Sequence, residues 1–225
     1  IKRQAMQVDF LRKLFRSDSI YICSNITVHN LEPLSTFLGK VGKAASGGLT
    51  LGEFQRRQRL HRAAEIGATR DVVDFITKAR EIYGYPHFMA DTSGSICELD
   101  DPATLEMLAA HSVLLYIRAG EQMQTELIER AIASPKPLYY QEPFFETRLA
   151  QYLADNNLDG AEQMDPDRFV QWIFPHLFEH RKPRYEAVVA QYGYAVEAQD
   201  VAAVRDEGDF MELVASALSR SRGGA

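Results

Sequence analysis

The sequence predicts an α/β domain: a three-layer, mostly parallel sheet flanked by helices. Short apolar runs near residues 20–23, 87–91, 112–117 and 194–197 have the length of buried strands. They alternate with longer segments of helical period, the order that builds a parallel sheet covered on both faces. The 225 residues are enough for one large core with room for a helical lid. Residues 1–219 read as a single domain and 220–225 as a disordered tail.

Taken in order, Lys2 to Phe15 reads as an amphipathic helix with Met6, Phe10, Leu11, Leu14 and Phe15 on one face. Ile20 to Cys23 is the first strand. Gly39 to Gly48 is a loop rich in Gly and Lys, read as flexible and basic. Thr50 to Tyr83 is helical, basic at first and then amphipathic, and Gly84-Tyr85-Pro86 stops it. Phe88, Met89 and Ala90 form the next strand, and Asp101-Pro102 opens a helix through Ala110. Ser112 to Ile117 is a strand and Gln122 to Ile132 a helix broken by Ser134-Pro-Lys-Pro137. A further helix ends at Leu153, and Asp155 to Pro166 is a polar surface excursion. Two separate helices follow, Asp167 to His180 and one from the His180–Tyr185 segment to Tyr192. Tyr194 to Glu197 is the last strand and Phe210 to Leu218 the closing helix.

Composition narrows the function classes. A net charge of −6 argues against a nucleic-acid-binding surface, although Arg56 to Arg62 is locally basic. No apolar run approaches the roughly 20 residues of a membrane span. Two cysteines, Cys23 and Cys97, make no ligand spacing and no disulfide framework, which points to reduced thiols in the cytoplasm. The six histidines form no zinc motif.

The chemistry-bearing segment is Ala90-Asp91-Thr92-Ser93-Gly94-Ser95. In open α/β sheets ligands sit outside the carboxyl ends of strands, where this run would place Asp91. Asp91 could hold Mg²⁺ directly or through water, and Ser93, Gly94 and Ser95 would let a phosphate approach the backbone. A polar turn capping the next helix is the alternative. Glu98 could be a second acidic group, with the cap of that helix the preferred reading. Arg62 and Glu65 lie about one turn apart, a pair suited to an anionic substrate or to a solvated ion pair. Arg181 and Arg184 flank Pro183 and could stack on adenine or clamp a phosphate.

The order of these pieces resembles the P-loop kinase-like NTPases, the shikimate kinase and adenylate kinase group in particular, and a group of bacterial proteins labelled only as ATPases. The resemblance rests on His61-Arg-Ala-Ala-Glu65, the Asp91–Ser95 loop, Val113-Leu-Leu-Tyr-Ile117 and the Arg181-Lys-Pro-Arg-Tyr185 motif. It implies a helical insert over about 50–84 and a lid over about 121–180, with Arg130 and Lys136 supplying cations on closure. It also implies Mg²⁺-ATP, an unknown small-molecule acceptor and γ-phosphoryl transfer to water or a hydroxyl. Asp91 would then serve the metal or nucleophile and Arg181 the nucleotide. No Gly-x-x-x-x-Gly-Lys-Ser/Thr occurs in the sequence, and Gly39-Lys-Val-Gly-Lys-Ala44 has the wrong spacing. The register of the Lys2–Phe15 helix sets the expectation of such a loop just before Ile1. The alternatives are a non-catalytic nucleotide- or protein-binding module on a degenerate kinase fold, and a nucleic-acid- or nucleotide-modifying enzyme.

Overall fold

Thr50 opens a helix of 33 residues, α1 (Leu51–Tyr83), its hydroxyl accepting the Glu53 N–H at 3.4 Å. Gly84 ends it at φ +66°, the left-handed turn that glycine makes without strain. Both ends fall where the sequence places them. The computed structural model describes residues 37–92 and 94–222. The helix expected over 2–15, the strand over 20–23, Ser93 and the end of the tail lie outside the described residues.

The strand expected over 87–91 does not form. Residues 84–92 follow α1 without regular structure and are exposed throughout, Met89 at 75%. A strand needs a neighbour for its N–H and C=O groups, and no described strand lies beside this run. A turn with the 3₁₀ segment Ile96–Glu98 then leads to α2 (Pro102–His111). Asp101, not Glu98, caps α2 by accepting the Thr104 N–H at 3.3 Å.

After α2 come β1 (Leu114–Arg118), α3 (Glu121–Ala133), α4 (Glu142–Asp155) and α5 (Pro166–Tyr192). The chain closes with β2 (Gly193–Glu197), α6 (Ala198–Ala202) and α7 (Glu207–Arg222). The two strands pair in parallel, Leu114 opposite Gly193 and Arg118 opposite Glu197. A Cβ at Gly193 would sit 2.8 Å from the Leu114 carbonyl oxygen, so only glycine lets the strands meet in this register. Among the described residues the architecture is α/β in this general sense: a two-stranded parallel sheet among helices.

Two helices were expected over 167–192, yet α5 runs unbroken through Pro175 and Pro183. Each proline costs a helix interior about 3 kcal/mol. Burial of Phe169, Val170, Ile173 and Leu177 along one face offsets that. Of these, Phe169, Ile173 and Leu177 join Phe54 of α1 and Phe145, Leu149 and Tyr152 of α4 in the main core. Most of the large core therefore lies in the segment expected as a lid. Met164, fully buried, and Ala161 seat the supposed surface excursion in that core as well.

The Gly39–Gly48 segment is not a flexible loop. Gly42 donates to the Leu49 carbonyl at 3.1 Å and Lys43 to the Met164 carbonyl at 2.9 Å, with Val41 buried beneath. A Cβ on Gly48 would lie 2.4 Å from the Gly42 backbone. The glycines permit a tight closed turn, which explains their spacing without a bound phosphate.

Candidate functional site

The turn Ser95–Asp101 gathers side chains from three parts of the chain. Ser95 to Leu99 are buried, and Asp100 takes a positive φ of 47°, bending the chain outward before α2. From α1, Arg62 donates to the carbonyls of Leu99 at 2.8 Å and Asp100 at 3.3 Å. One turn on, Glu65 accepts the Ser95 hydroxyl at 2.7 Å. From α5, Arg184 donates to Gln141 at 2.6 Å and to Asp100 at 3.5 Å, and Gln141 in turn donates to Asp100.

Glu98 stands at the centre of this turn, its side chain wholly shielded from solvent. Arg181 Nε donates to its Oε2 at 2.6 Å while Arg181 Nη2 donates to the Tyr139 carbonyl at 3.0 Å. The other carboxylate oxygen, Oε1, has no hydrogen-bond partner; His180 Nε2, also unpartnered, lies 3.8 Å away. Burial raises the Glu98 carboxyl above the ordinary range, and Arg181 pulls it back down. Burial, with Arg184, Arg181 and Arg148 nearby, lowers His180. Cys97, whose thiol meets the Tyr185 hydroxyl, is pushed by burial up to about 11 and is an inert core thiol.

The structure thus brings together Arg62, Glu65, Gly94, Ser95, Arg181 and Arg184 from the residues picked in the sequence. A Cβ on Gly94 would lie 3.6 Å from Arg181 Nη1, so the guanidinium faces that turn. It does not bring in Asp91, Arg130 or Lys136, and Ser93 lies outside the described residues. Asp91 is exposed in the irregular run 84–92 and pairs with no described residue. Arg130 sits exposed in the last turn of α3, and Lys136 is exposed before α4. The sequence reading placed Glu98 as a helix cap ahead of a second acidic group; the cap is Asp101, and Glu98 sits at the centre of the site. The available signal was a carboxylate set between Ile96, Cys97 and Leu99 in an apolar run.

A second feature lies on the neighbouring face of α5. Phe178, Lys182 and Glu186, spaced by four, line a cleft of about 240 Å³ with Tyr116, Arg118 and Gln124. This is the carboxyl end of β1 and β2, since Arg118 and Glu197 are their last residues. Arg118 forks onto Glu186 at 2.8 and 2.5 Å, which lowers the Glu186 carboxyl below its usual range. Lys182 reaches Gln124 at 3.1 Å. A wider hollow of about 500 Å³ adjoins it between Gly120–Met123 and Glu197–Ala202. Among the described residues no group of three or more His, Cys, Asp or Glu could hold a metal ion. No described helix is long and apolar enough to cross a membrane.

Comparison with known proteins gives no match to any family model, curated protein or solved structure.

Proposed function

We propose that this chain is a nucleotide-dependent phosphoryl-transfer domain of the P-loop kinase-like type, an ATPase or small-molecule kinase. One observation carries the reading: the cleft at the carboxyl ends of two parallel strands shares the helix α5 with the arginine-rich turn at Ser95–Asp101. Carboxyl ends of parallel strands are where open α/β sheets take ligands. On this reading the nucleotide occupies the cleft and hollow, with Tyr116 and Phe178 as apolar walls and Arg118 and Lys182 as cations. The Gly94 face of Arg181 takes an anionic group of the acceptor or nucleotide, a role guanidinium geometry suits. The two strands belong to a larger three-layer sheet in this proposal. Mg²⁺ arrives with the nucleotide, needing only one or two protein carboxylates, and exposed Asp91 is free to be one. Phosphoryl transfer needs positioned cations more than covalent chemistry, and Arg130 and Lys136 are exposed and available to a moving ligand.

The test is ADP release from Mg²⁺-ATP by the native protein, with Arg118→Ala and Lys182→Ala beside it. Turnover that falls on the order of tenfold or more in either variant, with folding intact, supports the reading. Wild-type turnover in both variants contradicts it.

A non-catalytic binding module on the same fold is the second reading, favoured by a specific observation. Arg62, Arg181 and Arg184 each already donate to protein acceptors, as cations of a structural network do. Tight Mg²⁺-ATP binding without ADP release would select it.

A further inference from the structure

We infer that Glu98 is a positioning residue: its buried carboxylate fixes the Arg181 guanidinium so that Nη1 faces the Gly94 turn as an oxyanion donor. The inference rests on the proposed reading that this face of Arg181 meets an anionic group. A guanidinium offers donors in a rigid fork, so engaging two nitrogens sets the direction of the third. In Arg181, Nε is held by Glu98 Oε2 and Nη2 by the Tyr139 carbonyl. Nη1 makes no hydrogen bond with any described residue and lies beside Gly94, which has no side chain to cover it. Gly94 is exposed while Arg181 is largely buried, so the free nitrogen stands at the boundary between protein and solvent.

Charge makes the same demand. Arg62, Arg181 and Arg184 converge on this turn, and like charges packed together repel. Asp100 meets Arg184 at the surface, but Glu98 is the carboxylate that faces Arg181 from inside. Its second oxygen has no hydrogen-bond partner, and besides Arg181 the groups that act on this carboxylate are Arg184, the Gln141 backbone N–H and His180 at 3.8 Å. Burying an acid beside an unpartnered oxygen is costly for stability alone. Orientation of Arg181 gives that arrangement a purpose.

The experiment uses inorganic phosphate as probe, by calorimetry on the native protein, Glu98→Gln, Arg181→Ala and the double variant. Circular dichroism checks each fold. The expected result is phosphate binding that Arg181→Ala weakens most, though still measurably, and Glu98→Gln weakens roughly tenfold, the size of one lost charge-assisted contact. The double variant should then bind no worse than Arg181→Ala, because Glu98 acts only through Arg181. Should Glu98→Gln not fold, the wild-type Arg181 Nε–H resonance reports on the same contact. It should hold its shift as phosphate is added, because Glu98 keeps Nε throughout. Undiminished phosphate binding in folded Glu98→Gln, or an Nε–H resonance that moves as though Glu98 were displaced, overturns the inference while leaving the anion site in place. Phosphate binding untouched by Arg181→Ala, or absent from the native protein, overturns the anion reading itself, and the inference with it.

Discussion

Tyr116 of β1 lies flat against Tyr185 of α5, ring centroids 4.9 Å apart and planes 3° from parallel. The contact joins the strand that ends at the cleft to the helix that carries Arg181 and Arg184. Tyr185 also meets the Cys97 thiol, so the same ring touches the Glu98 turn. The two candidate binding features are thereby held in one packed unit, and movement of α5 against β1 would disturb both.

That stack has a measurable strength. A double-mutant cycle of Tyr116→Ala and Tyr185→Ala in urea unfolding should give a coupling of about 0.5–1.5 kcal/mol, the usual worth of an aromatic pair beyond burial. Strictly additive losses would mean that strand and helix are held together by other contacts.

Gln58 should matter more than its polarity suggests. Buried in α1, it accepts the Tyr140 N–H at 2.9 Å and donates to the Leu138 carbonyl at 3.0 Å, acting as a strand neighbour for that segment. Gln58→Leu leaves both backbone groups without partners and should cost about 2–5 kcal/mol in urea unfolding. A loss below about 1 kcal/mol would show that water or a shifted backbone replaces it.

Gly48→Ala tests the closed turn. The added methyl meets Gly42 backbone at 2.4 Å, which no flexible side-chain end can relieve. The variant should lose about 1–3 kcal/mol of stability. An unchanged thermal midpoint would revive the flexible-loop reading of Gly39–Gly48.

Much of the helical framework was legible before the structure. Thr50, Gly84 and Asp101-Pro102 mark helix ends through capping chemistry local to a few residues. The runs that became β1 and β2 were also found from sequence. Phe88-Met89-Ala90 has strand-like side chains too, but pairing is a property of neighbours that a short apolar run does not encode. Pro183 reads locally as a helix start, while burial along α5 carries the helix through it. At the site, Arg62, Glu65, Gly94, Ser95, Arg181 and Arg184 were picked from separate motifs and do converge. Glu98 was ranked as a helix cap ahead of a site carboxylate because its burial is decided by α5, more than eighty positions away along the chain.

His180 predicts a pH dependence of stability. Its folded value lies below the ordinary 6.5, so as pH falls the unfolded chain takes up the proton first. The stability His180 contributes is present above that ordinary value and is lost as pH falls toward the lowered one. Between about pH 7.5 and about pH 5.5, wild type should therefore lose more stability than His180→Gln. Equal losses would mean that His180 protonates freely in the fold, its Nε2–H then donating to Glu98 Oε1.

The central claim is that the face of α5 between the strand ends and the Glu98 turn receives a nucleotide. The most direct measurement is calorimetric titration of Mg²⁺-ATP into the native protein and into Arg118→Ala. The account predicts saturable binding, weakened on the order of tenfold in the variant by loss of one cation at the cleft. Absence of binding to the native protein, or equal affinity in a folded Arg118→Ala, would contradict it.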